Sequence, residues 1–349
     1  MQTFWFCAVA LMIAAYVILD GFDLGAGIIH LFVARTEEER RRVLESIGPF
    51  WDGNEVWLLA GGGTLYFAFP ALYSASFSGF YLPLTIVLWL LMLRGIAIEF
   101  RAHVEGALWR PLWDVVFCGA SALLAIFFGA ALGNVVRGVP LGASGFFFLP
   151  LWSDFGVNGE LGILDWYTVV VGVAAFATLM LHGALWVAWR TDGELAARCR
   201  VLATRVWWAV AALAVVITGL SFSVQPQLWI SFSARPWGFV FPAAGVLALV
   251  LVRVWIARGT SAAFLASCGF IAAMLVSAAF GLYPYVLVAR GDARFGLTIS
   301  NAAAAGYGLR AGVWWFVPGM VLVVGYFAFT YRRFAGNRIG SQMDTDGHR

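Results

Sequence analysis

The 349-residue chain lacks lysine altogether, and only 12% of its residues are charged. Without lysine there is no side-chain amine for Schiff-base chemistry. The four cysteines are far apart, so neither a disulfide framework nor a metal knuckle is expected. A content of 62% hydrophobic residues excludes an ordinary soluble globular protein. The short alternating strands of a membrane β-barrel are also missing, so we predict an all-α polytopic membrane protein.

Nine hydrophobic runs are each long enough to cross a roughly 30 Å hydrocarbon core as a helix. The first is longer than the apolar core of a signal peptide and contains two acids, so we expect it to be retained. We predict two four-helix bundles plus one peripheral helix in a single membrane domain, 1–336, followed by a polar cytoplasmic tail, 337–349. The nine runs are 5–33, 48–74, 77–98, 112–136, 165–189, 203–224, 237–257, 262–289 and 311–331.

The nine predicted spans place the connecting segments alternately on the two sides of the membrane, and arginine is distributed unevenly between these sides. Seventeen arginines fall on one side and five on the other. By the positive-inside rule the arginine-rich side is cytoplasmic. The N-terminus is then extracytoplasmic and the C-terminus cytoplasmic, as an odd number of spans requires. The segments on the arginine-rich side are 34–46, 94–111, 190–205, 253–258 and the C-terminal tail.

Two pairs of acids interrupt the first two hydrophobic runs. Asp20 and Asp23 lie in AYVILDGFDLGAG, and Asp52 and Glu55 lie in GPFWDGNEVWLLAGGG. A carboxylate in hydrocarbon costs roughly 2.5–3.5 kcal/mol on insertion scales, so such residues usually serve an ion or proton path. A spacing of three residues puts both acids of a pair on one helix face. The sequence therefore predicts proton transfer along carboxylates and water inside a helix bundle.

A structural role is the alternative for the same acids. They could form ion pairs with Arg94, which ends the third hydrophobic run on the same side. Asp52 and Glu55, near a predicted helix start, could instead complement the helix dipole. The sequence leaves both alternatives open.

Histidine is scarce as well, and of the four histidines only His182 lies well inside a predicted helix. Haem iron commonly takes a His or Met ligand, which makes His182 the one candidate for ligating iron. A single histidine on an apolar helix face is more often a hydrogen-bonded packing residue, and we favour that interpretation. His30 lies near a helix end and His348 in the tail. No metal site and no nucleic-acid binding are expected.

Six segments of the first 140 residues carry a more specific pattern. With these segments in this order, the chain resembles subunit II of the cytochrome bd family of quinol oxidases. The strings DGFDLG and WDGNEVW together are highly specific to that family. The six segments are LDGFDLGAG (19–27), GPFWDGNEVWLL (48–59), FAFPALYSASFSGFYLPL (67–84), RGIAIEFR (94–101), LWRPLWD (108–114) and GNVVRGVP (133–140).

The resemblance implies a heterodimer in the bacterial cytoplasmic (inner) membrane that oxidises quinol and reduces oxygen to water. Subunit I would carry the b-type and d-type haems and the quinol site, and small single-helix subunits could accompany the pair. This chain would bind no haem, support haem insertion in its partner and contribute a cytoplasmic proton-uptake path. A proton-coupled secondary transporter is the alternative. The acidic motifs have no second copy in the later helices, which argues against a transporter built from two related halves.

The resemblance also suggests roles for individual residues. Glu99 stands where some members have Asp, and His103 where some have Lys, which would put both at the cytoplasmic mouth of the path. Phe50 departs from members that have His before WDG, and this leaves one hydrogen-bonding step of the relay in doubt. Arg94 is the expected structural charge partner. The predicted proton path consists of Asp20, Asp23, Asp52, Glu55, Glu99 and His103.

Overall fold

The computed structural model describes residues 1–104, 106–258 and 261–334. These residues are mostly helical, which confirms the predicted all-α class. Two short strands, β1 (Tyr285–Leu287) and β2 (Leu297–Thr298), pair antiparallel. The helices are α1 (Gln2–Val33), α2 (Glu37–Ile47), α3 (Trp51–Ala68), α4 (Pro70–Gly79), α5 (Tyr81–Phe100), α6 (Trp109–Arg137), α7 (Trp166–Arg190), α8 (Gly193–Val224), α9 (Pro226–Ala234), α10 (Val240–Ile256), α11 (Ser261–Leu282) and α12 (Gly306–Phe334).

Eight helices of the described residues are long and apolar enough to cross a membrane. They are α1, α5, α6, α7, α8, α10 with the 3-10 turn before it, α11 and α12. Helix α3 is not among them, because its first five residues include Asp52, Asn54 and Glu55. With 18 residues it is about 27 Å long, close to the thickness of the hydrocarbon core. The count of nine spans therefore stays a prediction.

Two predicted hydrophobic runs are not single helices. The run 48–74 is divided, since α3 ends at Ala68 and α4 starts at Pro70. Proline is suited to the first position of a helix, where the backbone N–H that it lacks would have no intrahelical partner. The run 262–289 also ends early, because α11 stops at Leu282 and β1 follows. Hydropathy alone located the apolar segments and missed these breaks.

Helix α2 takes up most of the segment 34–46, which the sequence had marked only as an arginine-rich loop, and ends at Ile47. It begins with a capping box, in which the Thr36 and Glu39 side chains each bind the other residue's backbone N–H. The indole of Trp186 donates to the Ser46 carbonyl at 3.0 Å and so joins α7 to α2. We call this end of the bundle the α2 end. The opposite end, where Trp5 donates to the Leu309 carbonyl, is the loop end.

Helix α1 is at the centre of the bundle and packs against α3, α6, α7 and α11. Further pairs form between α5 and α6, α6 and α7, α7 and α8, and α10 and α11. One hydrophobic cluster contains residues from helices of both predicted four-helix groups, so the two groups are less distinct than predicted. Helix α12 is mostly exposed and is held by aromatic contacts such as Trp57–Phe327, with ring centroids 5.5 Å apart.

The crossing of α1 and α7 depends on two glycines that face each other. A Cβ atom at Gly25 would overlap the Leu179 carbonyl and lie 2.6 Å from the backbone nitrogen of Gly183. A Cβ atom at Gly183 would overlap the backbone of Gly25 in turn. Small residues at helix crossings allow such close backbone approach in membranes. The glycines of DGFDLGAG thus place α7 against the helix that carries Asp20 and Asp23.

Candidate functional site

Arg94 on α5 joins two of the predicted acids. Its Nη1 donates to Asp20 Oδ1 at 2.6 Å, and its Nη2 donates to Glu55 Oε2 at 2.9 Å. Asp20 and Arg94 are fully buried, whereas the Glu55 side chain is 27% exposed. These ion pairs connect α1, α5 and α3. In this structure, therefore, Asp20 and Glu55 have the charge partner that the structural alternative requires.

Asp23 has a different environment although it lies one turn from Asp20. It is buried, and the Asn54 amide donates to its Oδ2 at 2.8 Å. The same amide nitrogen donates to the Leu19 carbonyl at 3.1 Å, and the Tyr331 hydroxyl donates to Asn54 Oδ1 at 3.1 Å. Among the described residues no arginine or histidine forms an ion pair with Asp23. The two acids of DGFD are thus distinct: one is ion-paired and the other is held by an amide.

Several buried polar atoms around these acids have no protein hydrogen-bond partner within the described ranges. They are Tyr16 Oη, Asp20 Oδ2, Asp23 Oδ1, Trp57 Nε1 and Arg94 Nε. Buried polar groups are nearly always satisfied, by protein or by ordered water. These atoms therefore mark a polar region inside the bundle, next to the ion pairs of Arg94 and the contacts of Asn54.

A cavity of about 230 Å³ lies beside the cluster at the α2 end, between the start of α3 and the end of α12. Asp52, Asn54 and Tyr331 are on its wall, and Asp52 is exposed. One water molecule occupies roughly 30 Å³ in the liquid, so the cavity has room for several. It connects the exposed first turn of α3 with the residue that binds Asp23.

Glu99 and His103 are placed apart from the cluster. Both are exposed at the α2 end, where α5 stops. The Nδ1 atom of His103 and the backbone carbonyl of Glu99 are 2.8 Å apart, so the ring caps the end of α5 rather than binding the Glu99 carboxylate. No hydrogen bond within the described part of the chain joins either side chain to Asp20 or Asp23. The structure therefore brings together four of the seven predicted residues, Asp20, Asp23, Glu55 and Arg94, and places Asp52 on the adjoining cavity.

Sequence reasoning missed three residues of the cluster: Tyr16, Asn54 and Tyr331. Asn54 lies between two acids in WDGNE, and its amide could have been recognised as a donor to a neighbouring carboxylate. Tyr16 is four residues before Asp20 and hence on the same helix face. Tyr331 gave no signal, because it is 277 residues from its partner Asn54. Phe50 packs its ring against Tyr331, with centroids 4.7 Å apart.

A second buried ionic cluster lies nearer the α2 end and was also missed. The Nε2 atom of His30 donates to Asp114 Oδ1 at 2.6 Å, and both side chains are fully buried. Arg101 donates to Asp114 at 2.6 Å and to Glu37 on α2 at 3.0 Å. On the outer face of α2, hydrogen bonds from two arginines hold the pKa of Glu38 below its usual range. The cluster ties α2 to α1, α6 and the end of α5.

His182 is a packing residue in this structure. Its Nδ1 is 2.7 Å from the Ser267 hydroxyl, its Nε2 is 3.0 Å from the Ile18 carbonyl, and its ring stacks on Phe264. Because both ring nitrogens are engaged, neither presents a lone pair to iron. Within the described residues no three His, Cys, Asp or Glu side chains form a group that could hold a metal ion. His348 lies outside these residues, as does the predicted tail.

Comparison with known proteins identifies the family. The family model for cytochrome bd terminal oxidase subunit II matches residues 1–334. The chain belongs to this family. Subunit 2 of the cytochrome bd ubiquinol oxidase of Bacillus subtilis is 32% identical over 310 residues, which are 88% of this chain and 87% of that protein. Subunit 2 of the cytochrome bd-I ubiquinol oxidase of Escherichia coli is 28% identical over 372 aligned positions, covering 99% of this chain and 97% of that protein.

A solved structure shows the same fold. The bd oxidase from Geobacillus thermodenitrificans superposes with a TM-score of 0.76 and 18% identity, over 97% of this chain and 99% of that one. The resemblance noted from the sequence is confirmed, and the chain is a subunit of a quinol oxidase complex of the respiratory chain. Membership implies a subunit I partner, quinol and oxygen as substrates, and a multi-pass location in the bacterial inner membrane. The transporter alternative is not favoured.

Proposed function

We propose that this chain is the haem-free subunit of the oxidase, that it supports haem insertion in subunit I, and that it contributes a proton-uptake path from the cytoplasm. One observation carries the proton path. Asp23 is a buried carboxylate without an ion-pair partner among the described residues, and Asn54 connects it to a cavity that adjoins the exposed Asp52. A carboxylate at such depth is a functional residue by default.

The charges of the cluster support this role. The cluster holds three acids and one arginine, because Arg94 pairs with Asp20 and Glu55 while Asp23 is bound by Asn54. If all three were ionised, the cluster would carry two uncompensated negative charges in a mostly buried site, which is very costly. The cluster therefore retains at least one proton. Arg94 neutralises Asp20 or Glu55 directly, so Asp23 is the group best suited to hold a proton that can be exchanged.

The proposed route starts at the α2 end and follows the polar atoms inward. Protons pass Glu99 and His103 at the surface and enter the cavity at Asp52. They then pass Glu55, reach Asp23 by way of water, and continue past Asp20 and Tyr16 toward the partner. Water supplies the links, at the positions that the unpartnered buried atoms mark. Quinol protons leave on the other side of the membrane through subunit I, which generates proton motive force without a pump.

The haem-free assignment predicts how the subunit behaves on purification. Expressed alone, it should show no stoichiometric haem spectrum, because His182 uses both ring nitrogens for protein hydrogen bonds and His30 is bound to Asp114. Coexpressed with its subunit I, it should copurify with b-type and d-type haem absorbance. Optical spectra and pyridine haemochrome analysis of both preparations give the measurement. One haem per chain on the isolated subunit would refute the assignment and make His182 the first residue to replace.

The proposed orientation puts the α2 end in the cytoplasm. In a Cys7→Ser background, Glu194→Cys on α8 should be labelled by a membrane-impermeant maleimide only from the cytoplasmic side. Ala143→Cys, in the exposed part of the loop end, should be labelled only from outside. The arginine distribution motivates this prediction. Labelling of both positions from the same side would overturn the topology. Labelling of Glu194→Cys from the cytoplasm and of Ala143→Cys from outside supports an odd number of spans between them and the proposed orientation.

A further inference from the structure

Hydrogen-bond geometry fixes the direction of every contact that Asn54 makes. Its Nδ2 lies 3.1 Å from the Leu19 carbonyl, which can only accept, and 2.8 Å from Asp23 Oδ2. Turning the amide over would place Oδ1 against the Leu19 carbonyl with no proton between the two oxygens, so the nitrogen must face that carbonyl. The remaining contact, at 3.1 Å, then requires the Tyr331 hydroxyl to donate to Asn54 Oδ1. The donors run in one direction, from Tyr331 through Asn54 to Asp23.

This chain of donors stands between the cavity and Asp23, but Asn54 cannot itself relay a proton. A neutral amide neither takes up nor releases protons readily at physiological pH. What Asn54 does is occupy one oxygen of Asp23 and leave the other, Oδ1, without a protein partner in the described residues. Tyr331 holds the amide in this orientation, and its hydroxyl oxygen can still accept a hydrogen bond from water in the cavity.

Tyr331 also links this arrangement to the position of α12. This helix is peripheral, and near Tyr331 it is held by ring contacts with Phe50, at 4.7 Å, and with Trp57 through Phe327, at 5.5 Å. The Tyr331 hydroxyl provides a polar contact from α12 to the buried cluster. A shift of α12 would break the hydrogen bond from Tyr331 to Asn54, and the Asp23 carboxylate would then be held less firmly in its orientation.

We propose that Asn54 and Tyr331 form a positioning pair, which holds the Asp23 carboxylate with Oδ2 bound by Asn54 and Oδ1 open to the proton-conducting water. Proton uptake then depends on Tyr331, although Tyr331 carries no proton along the path. The proposal rests on the proton path proposed above. In the transfer, an O–H bond forms at Asp23 Oδ1 as one O–H bond of a hydronium ion in the water chain breaks, and neutral water remains.

The test compares variants of the assembled complex with its subunit I. Tyr331→Phe should assemble with unchanged haem content and quinol KM, lose turnover per haem d severalfold, and show a pH dependence of turnover displaced from that of the wild type. Tyr307→Phe is the matched control, because it removes a hydroxyl from an exposed tyrosine at the start of the same helix. The control should stay within twofold of wild-type turnover. Wild-type turnover and an unchanged pH profile in Tyr331→Phe would overturn the proposal.

A double-mutant cycle separates positioning from independent effects. If Tyr331 acts through Asn54, the combination Asn54→Ala with Tyr331→Phe should turn over no more slowly than Asn54→Ala alone. Losses that multiply would contradict the proposal. Should Asn54→Ala not assemble, Asn54→Ser in the same cycle keeps the comparison open. The variant Asp23→Asn shows which proposal has failed. If Asp23→Asn leaves turnover intact, the proton path is wrong. If Asp23→Asn abolishes turnover while Tyr331→Phe has no effect, only the positioning pair is wrong.

Discussion

Asp23→Asn is expected to give a complex with full haem content that has lost about tenfold or more of its quinol oxidase turnover, the scale of effect expected when a proton-transfer group is removed. Asparagine keeps the volume of the side chain and can still accept a hydrogen bond from Asn54, but it cannot carry the exchangeable proton. No ion pair is broken, since Asp23 has none among the described residues. The measurement is oxygen consumption per haem d in the purified complex.

Asp20→Asn should behave differently and serves as the comparison. It removes a carboxylate 2.6 Å from the buried Arg94 guanidinium, and breaking a buried pair costs about 3–5 kcal/mol. Glu55 compensates in part, because it binds the other end of the same guanidinium. We therefore expect assembly and haem content to fall together with activity. Asp154→Asn, in the exposed loop, is the neutral control. Wild-type turnover per haem in Asp23→Asn would remove this residue from the mechanism.

Gly25→Val is expected to prevent assembly of the subunit. Even the Cβ atom of the new side chain would overlap the α7 backbone at Leu179 and Gly183, and no rotamer can relieve that overlap. Overpacking typically costs about 1–3 kcal/mol where side chains can move, and here backbone would have to move instead. We expect no copurifying subunit I and no haem signal in the membrane fraction.

Gly219→Val on α8 is the matched control for this variant. Nothing lies within 4 Å of the Cβ position at Gly219, and the residue is exposed. The same substitution at the same kind of helical position should therefore leave the amount of assembled complex close to that of the wild type. The readout is haem d absorbance per milligram of membrane protein. Equal amounts of complex in Gly25→Val and Gly219→Val would contradict the close crossing of α1 and α7.

Hydropathy was enough to predict the helical class, because a chain this apolar can satisfy its backbone in a bilayer only through helices or a closed barrel. It did not find the division at Ala68 and Pro70, since apolar residues continue across it and proline is tolerated inside membrane helices. Helix α2 could have been found, because Thr36 and Glu39 have the spacing of a capping box. The arginines of this segment were used only to orient the chain in the membrane, and the capping box was not considered.

The sequence selected acids that the structure places close together, without separating their environments. Asp20 and Asp23 are equivalent in DGFD, and only the position of Arg94, on a helix 74 residues away, makes one an ion-pair partner and leaves the other to Asn54. Long-range contacts of this kind, including Tyr331 with Asn54 and His30 with Asp114, depend on how helices pack. The two acid pairs put Asp20, Asp23 and Asp52 on the predicted path, but neither these pairs nor the family resemblance named Asn54 or Tyr331.

The most direct test of the proton path is the uptake of protons by the oriented complex in vesicles. The fully reduced complex is mixed with oxygen, and a pH dye on the side of the α2 end follows proton uptake during one turnover. We predict rapid uptake from that side in the wild type and uptake slowed by about tenfold or more in Asp23→Asn, with haem content unchanged. Uptake at the wild-type rate in Asp23→Asn, or uptake from the side of the loop end, would contradict the account.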